Sequence, residues 1–198
     1  MPRNPRTSPP LPLEQVASIR SGYAPRRLDA DPFGTYRGLQ ARDLAGADEV
    51  QWSRLMTPRV DADPARHEVH DGDLVVSLRG TSVRAWRIAS PPERTIVVGQ
   101  LAIVSARAGI ADSGYLLWYL NHPTTVARFQ LLAKGSSLSF VPMSEFRRFP
   151  VALPPLAVQL QVGRASALAE SERRLLNELG ALRRQLTDAQ LLRVAETR

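Results

Sequence analysis

The sequence contains no cysteine, and this absence excludes several kinds of chemistry. Disulfide bonds, thiolate zinc sites and cysteine nucleophiles all require that residue. Long apolar runs are also missing, because none approaches the roughly 18 residues that a membrane-spanning helix needs. We therefore expect a cytoplasmic protein without a membrane partner.

Lysine is nearly absent: Lys134 is the only one, and the rest of the 26 basic residues are arginine. The formal net charge is +7 and the pI about 10.8, which favours polyanionic partners. Residues 74–92 contain three arginines and no acid, and residues 113–154 contain Glu145 as their only acid. The positive charge is therefore concentrated in particular segments.

Motifs typical of an enzyme are lacking as well. No Gly-x-Ser-x-Gly elbow surrounds Ser77 or Ser82, and Gly80-Thr81 fits neither a P-loop nor a dinucleotide fingerprint. The cluster His67-Glu68-x-His70-Asp71-x-Asp73 could bind a metal ion, but polar residues in a loop that enters a strand are the simpler interpretation. We expect no enzyme activity, no metal and no cofactor.

Turn signals divide the first 153 residues into short elements. The pattern predicts strands over residues 74–78, 83–88, 138–140 and 149–153, one or two strands over 95–104 with an interruption at Gly99, a short edge strand running into a turn over 36–44, and a strand or helical turn over 13–19. Helices are predicted over 115–120, with Ser113 as the N-cap, and over 126–132, recapped by Thr124 after Pro123; Ser144 would cap one further turn. Strands followed by a helical insertion and a last strand indicate an α+β fold.

The last 45 residues predict one long helix. After Pro154 and Pro155 there is no further proline, and apolar residues recur with the 4-3 spacing of a coiled-coil seam. The seam residues, which we assign to dimerisation, are Leu168, Leu175, Leu179, Leu182, Leu186 and Ala189. Glu172 and Arg193 also fall on this seam and weaken it. The alternative is an amphipathic helix that folds back on its own domain.

These patterns predict three regions. Residues 1–12 are rich in proline and are expected to be a disordered tail. Residues 13–153 would form one mixed α/β domain, and residues 154–198 the long helix that pairs with a second helix.

Two polar, glycine-containing turns are candidates for binding nucleic acid. The first includes Arg79, Thr81, Ser82 and Arg84, and the second includes Lys134, Ser136 and Ser137. Arginine can read guanine edges or clamp phosphate, and small hydroxyl groups bind phosphate. Weaker candidates of the same kind are Arg26, Arg27, Tyr36, Arg37 and Arg42. The alternative is that both segments are ordinary turns.

The chain resembles the specificity subunit of Type I restriction–modification systems over residues 13–198. The markers are GDLVVSLRGT (72–81), YLLWYLN (115–121), KGSSL (134–138) and FPVALPPLAVQ (149–159), with weaker agreement in VASIRSG (16–22) and YRGLQARDL (36–44). The order and spacing of these markers carry the resemblance. It corresponds to one target recognition domain and one conserved helix, whereas the usual family member has two of each.

The resemblance implies a non-catalytic DNA reader. Its domain would lie in the major groove over a half-site, and its helix would dock a DNA methyltransferase (modification) subunit, with a translocase–nuclease subunit as a further partner. S-adenosylmethionine chemistry would belong to the partner subunits. Two copies paired antiparallel would read a palindromic, interrupted site on double-stranded DNA, with half-sites roughly 34 Å or more apart. The alternative is a coiled-coil adaptor without a DNA role.

Overall fold

The computed structural model describes residues 9–25, 27–44, 50–61, 63–79, 83–135 and 139–196. The strands are β1 (Leu11–Pro12), β2 (Ala17–Ser21), β3 (Arg37–Leu39), β4 (Leu74–Ser77), β5 (Arg84–Arg87), β6 (Thr95–Val97), β7 (Leu101–Ala106) and β8 (Pro150–Val151). The helices are α1 (Leu13–Val16), α2 (Ala41–Leu44), α3 (Ser113–Asn121), α4 (Pro123–Leu132), α5 (Met143–Arg148) and α6 (Leu156–Glu196). Short 3₁₀ turns cover Trp52–Arg54 and Ala65–His67. The chain divides into two compact units, one ending at Gly163 and one from Arg164 onward.

A four-stranded antiparallel sheet with the order β2-β7-β4-β5 forms the centre of the first unit. Successive side chains of β4 point to opposite faces, so Leu74 and Val76 enter one core and Val75 enters another. The first core is built against the helices and contains Phe129, whose ring stacks 4.0 Å from that of Phe149. The second core lies on the other face and includes residues near α2 and β6.

The smaller strands differ from their predicted extents. The segment 36–44, predicted as a short edge strand running into a turn, forms β3, which pairs in parallel with β6, and then the short helix α2. Predicted strand 95–104 forms β6 and β7, and Gly99 lies between them with a φ of 98°, which favours glycine. β1 pairs with β8, so Leu11 and Pro12 are ordered, contrary to the predicted disorder through residue 12. β8 has only two residues rather than five because prolines limit its ladder.

The residues that cap the helices differ from those predicted from the sequence. Asp112, not Ser113, caps α3, because its carboxylate accepts a hydrogen bond from the Tyr115 backbone N–H at 2.8 Å. α4 begins at Pro123, a position that tolerates proline, and its cap is the His122 side chain rather than Thr124. α5 begins at Met143, before the predicted cap Ser144.

The residues of the histidine–acid cluster make structural contacts. Asp73 is buried and accepts hydrogen bonds from the Arg20 guanidinium at 3.0 Å and the Ser105 hydroxyl at 2.6 Å. The ring of His67 is hydrogen bonded through Nδ1 to the Ser21 carbonyl at 2.7 Å. Within the described residues, no group of three histidine, cysteine or acidic side chains could hold a metal ion.

The start of α6 is attached to the first unit by polar and close backbone contacts. Gln159 is 2% exposed; its amide donates to the carbonyls of Ile110 and Pro154 and accepts from the Asp112 backbone N–H. Gly163 lies directly against Gly114 in α3, where no side chain would fit. The helix begins at Leu156, after the two prolines, because the Pro155 carbonyl accepts the first helical hydrogen bonds.

Two tyrosines of α3 hold the segment that leads into α6. The Tyr115 hydroxyl donates to the Ala152 carbonyl at 2.5 Å, and the Tyr119 hydroxyl donates to the Pro150 carbonyl at 3.2 Å. Burial, followed by the neighbouring Tyr119, raises the pKa of Tyr115 to about 12. Tyr115 therefore stays a hydrogen-bond donor throughout the physiological pH range.

α6 contains 41 residues and is on the order of 60 Å long at 1.5 Å per residue. Its seam leucines are exposed: the fractions range from 45% at Leu179 to 72% at Leu168. The predicted α+β domain followed by a long helix is confirmed. A search of the described residues finds no helix capable of crossing a membrane.

Candidate nucleic-acid interface

Arg79 and Lys134, one from each predicted turn, both pair with Phe140, which was not among the predicted site residues. Phe140 forms antiparallel β-bridges with Arg79 on one side and Lys134 on the other. Lys134 and Phe140 exchange two backbone hydrogen bonds, at 2.8 and 2.9 Å, and the Val141 N–H donates to the Leu78 carbonyl at 2.8 Å. The structure thus brings together segments that are about 55 residues apart in sequence.

The three side chains lie on the same face of this small sheet. Residues directly opposite each other in antiparallel strands project to the same side, with Cβ atoms about 5 Å apart. Lys134, Phe140 and Arg79 therefore form a row in which an aromatic ring separates two cations. We call these three residues the recognition row.

Arg84 continues the positive surface beside the recognition row. It begins β5 directly opposite Ser77, the last residue of β4, and Arg79 follows Ser77 by two residues. The Arg84 guanidinium lies over the Trp86 ring, 5.5 Å from its centroid, in a cation–π contact. This contact orients a guanidinium that is exposed to solvent.

The cations at this surface are not neutralised by acids. Arg79, Arg84 and Lys134 are exposed and form no ion pair within the part of the chain that the structure describes. Arg20, in contrast, is paired with the buried Asp73. Their positive potential is thus available to an anionic ligand.

Asn121 holds the edge strand that carries Arg84. Its side-chain amide accepts from the Ala85 N–H and donates to the Ala85 carbonyl, both at 2.9 Å. β5 is the last strand of the sheet, so these two backbone groups would otherwise face solvent. The last residue of α3 thereby substitutes for a neighbouring strand and fixes the position next to Arg84.

Buried residues adjoin the recognition row along the chain. Leu78 and Val141 are buried in the first core, and they are the chain neighbours of Arg79 and Phe140, respectively. Alternation along a strand therefore places the core on one face and the recognition row on the other.

Several predicted DNA contacts are not joined to this surface. Arg27 forms an exposed ion pair with Asp29, and Arg37 donates to the Trp52 carbonyl at 3.2 Å. Tyr36 is half-buried before β3, and Arg42 lies in α2 near Asp43. Within the described ranges, no hydrogen bond or ion pair links these four residues to the recognition row. Arg26, Thr81, Ser82, Ser136 and Ser137 lie outside the described residues.

Sequence reasoning missed Phe140, Trp86 and Asn121 as parts of the site. Phe140 was expected only as a strand residue, and its pairing with two distant segments leaves no local signal. Asn121 ends the marker YLLWYLN, but its function as a lateral hydrogen-bond partner depends on where α3 packs.

Comparison with solved structures shows the same fold in three Type I restriction–modification proteins. The Type-I restriction-modification system S subunit from M. genitalium superposes with a TM-score of 0.58 at 13% identity, over 95% of this chain and 46% of that one. The HsdS subunit from Thermoanaerobacter tengcongensis gives 0.55 at 19% identity, over 89% and 42%. A chain from the structure on complex assembly and conformational transition of the type I R-M system gives 0.58 at 18% identity, over 98% and 46%.

The chain thus has the fold of an S-subunit segment and spans just under half the length of those proteins. The resemblance inferred from the sequence markers is confirmed at the level of the fold. No protein-family model and no curated protein matches the sequence.

Proposed function

We propose that this chain is a DNA-binding specificity subunit of a Type I restriction–modification system. It reads a half-site, directs a methyltransferase subunit to the DNA and has no catalytic activity of its own. The observation that carries the proposal is the recognition row, in which a cation lies on each side of Phe140 and neither forms an ion pair with the described residues, on a fold shared with S subunits.

A salt titration with duplex DNA tests the electrostatic part of the proposal. The logarithm of the association constant should fall linearly with the logarithm of salt concentration, with a slope near −0.9 for each phosphate neutralised. Arg79→Ala and Lys134→Ala should each make the slope shallower by about 0.9 if that side chain contacts phosphate. Arg174→Ala removes the same charge from an exposed position in α6 and serves as the matched control. A nearly flat slope for the wild type would favour the adaptor alternative.

The single lysine permits a direct footprint of the site. Lys134 and the α-amino group are the only primary amines in the sequence. Bound duplex DNA should protect Lys134, but not the α-amino group, from acetylation, as measured by mass spectrometry of the digested protein. Equal labelling of Lys134 with and without saturating DNA would place the binding surface elsewhere.

We further propose that the exposed seam of α6 pairs two copies of the chain. Burying the five seam leucines in each copy would stabilise a dimer by about 1.5–3 kcal/mol per fully buried side chain, before the entropy of association is subtracted. A two-fold dimer would present two recognition domains to a palindromic, interrupted site. A strictly monomeric protein at micromolar concentration, in sedimentation equilibrium, would contradict this step.

The charges on the seam favour an antiparallel pair. A parallel, in-register pair would place Glu172 against Glu172 and Arg193 against Arg193. An antiparallel pair centred between Gly180 and Ala181 instead aligns every seam position and places Glu172 opposite Ala189 of the second copy. Like charges in a seam are unfavourable, so the antiparallel register is the more stable one.

Engineered cysteines can test this register, because the natural sequence has none. In the antiparallel pair, Leu175 faces Leu186 of the second copy, whereas two copies of position 175 lie about 16 Å apart along the axis. Disulfides need Cα atoms within about 7 Å. A mixture of Leu175→Cys and Leu186→Cys proteins should therefore crosslink on oxidation, and each variant alone should not. Crosslinking of either variant with itself would indicate a parallel pair.

A further inference from the structure

We propose that Phe140 reads a base, by contacting the 5-methyl group of a thymine between the cationic contacts made by Arg79 and Lys134. This inference rests on the proposed function and adds a specificity-determining residue to it. Among the described residues, Phe140 belongs to neither core and is 41% exposed, so packing against that part of the chain does not account for a phenyl ring at this position.

The dimensions of the recognition row match those of a DNA groove. Neighbouring strands lie about 4.8 Å apart, so the backbones that carry Lys134 and Arg79 are separated by roughly 10 Å. The major groove of B-DNA is about 12 Å wide and admits a two-stranded β-ribbon. Phe140 occupies the middle of the row, where a base edge would lie, and the cations occupy its two sides, where phosphates would lie.

The chemistry of the ring selects the base. A phenyl group offers no hydrogen-bond donor or acceptor, so it cannot satisfy the polar edges of guanine, adenine or cytosine. The major-groove edge of thymine carries a methyl group, and this is the apolar feature that side chains contact there. The ring also gives no charge to the site, so it adds specificity without adding a phosphate contact.

The test begins with selection of bound sequences from a pool of random duplex DNA, using the full chain. Each thymine of the selected site is then replaced in turn by uracil, which lacks only the methyl group. For the wild type, one such replacement should weaken binding about fourfold, the value of one buried methyl group. Phe140→Ala should bind the thymine and uracil duplexes equally and keep the wild-type salt slope.

Three further variants complete the design. Lys134→Ala should make the salt slope shallower and keep the thymine preference. Phe33→Ala changes a ring that is 94% exposed in another loop, and it should alter neither the slope nor the preference. If Phe140→Ala does not fold, Phe140→Gln provides a polar side chain of similar reach and should also lose the preference. A thymine preference that persists without the ring, or the absence of any uracil effect in the wild type, would overturn the proposal. Failure of the wild type to bind DNA in a salt-dependent manner would instead contradict the proposed function.

Discussion

Two glycines in α6 should respond in opposite directions to the same substitution. A Cβ atom at Gly163 would lie 2.7 Å from the Asp112 carboxylate, 2.9 Å from the Tyr115 nitrogen and 3.0 Å from the Gly114 carbonyl carbon. Two of these neighbours are backbone atoms of α3, which cannot move without displacing that helix. At Gly180, the nearest atom to an added Cβ is Arg184 Nη1, at 3.7 Å. An added methyl group would therefore press against packed backbone atoms at Gly163 and make only an ordinary van der Waals contact at Gly180.

The expected magnitudes follow from these distances. Replacing a helical glycine by alanine favours the helix by about 1 kcal/mol through backbone entropy. At Gly180 this gain should appear nearly in full, as an increase in stability. At Gly163, overpacking of about 1–3 kcal/mol or more, together with disturbance of the Asp112 cap, should exceed it. We therefore expect Gly163→Ala to destabilise the protein and Gly180→Ala to stabilise it.

Thermal unfolding followed by far-UV circular dichroism can measure both changes. The protein concentration must be the same in all samples, because association shifts the apparent midpoint. Amide exchange at Tyr115 gives a local measurement, since its N–H donates to the cap that Gly163→Ala would disturb. A Gly163→Ala protein as stable as the wild type, with unchanged exchange at Tyr115, would refute the close packing of α6 against α3.

Three further predictions concern the domain. Asn121→Ala should lower the free energy of unfolding, measured with urea, by about 1–2 kcal/mol, because two hydrogen bonds are lost and water replaces them only in part. It should also speed amide exchange at Ala85. Asn121→Asp should be less stable than Asn121→Ala at pH 7, because a carboxylate oxygen would then face the Ala85 carbonyl. Its stability should recover toward pH 4 as the carboxyl is protonated. Equal stability of Asn121→Asp at both pH values would contradict this geometry. The pKa of Tyr115 is higher in the folded state, about 12, than in the unfolded state, so folding favours the protonated phenol. This contribution to the free energy of unfolding should be intact below pH 10 and be lost as the pH rises toward about 12. Tyr115→Phe should remove that alkaline dependence, as measured by unfolding at several pH values. Phe129→Ala should cost about 3–5 kcal/mol in urea unfolding, since the ring is fully buried and stacked on another; a loss below about 1 kcal/mol would show that the cluster is loosely packed.

The sequence predicted those elements whose signals are local. The runs that became β4 and β5, the break at Gly99 and the long terminal helix all follow from periodicity and turn residues close to each other in sequence. Cap identities were less accurate, because Ser113 and Thr124 are reasonable caps by type, while Asp112 and His122 have the required geometry. The predicted extent of β8 was too long, because its alternating apolar residues do not show that β1 offers only a few residues for pairing.

The candidate site could be predicted only as separate pieces. Arg79 and Lys134 were selected from composition and turn chemistry, and both belong to the recognition row. Their common partner Phe140 could not be identified, because strand pairing over long sequence separations depends on the tertiary fold. Arg27 and Arg37 have the same residue type but bond to Asp29 and to the Trp52 carbonyl. Residue type therefore indicated the chemistry, and topology determined which residues share a surface.

The alternation at Leu78-Arg79 and Phe140-Val141 has a consequence for substitutions. Along each segment, one residue is fixed by the interior and its neighbour projects outward, so substitutions at the outward positions leave the hydrophobic interior intact. Under the proposed function, replacing a few outward side chains would change the DNA sequence that is bound, while the inward side chains would preserve the scaffold. Changes in the proposed DNA preference and the retention of stability would then depend on different, adjacent residues of the chain.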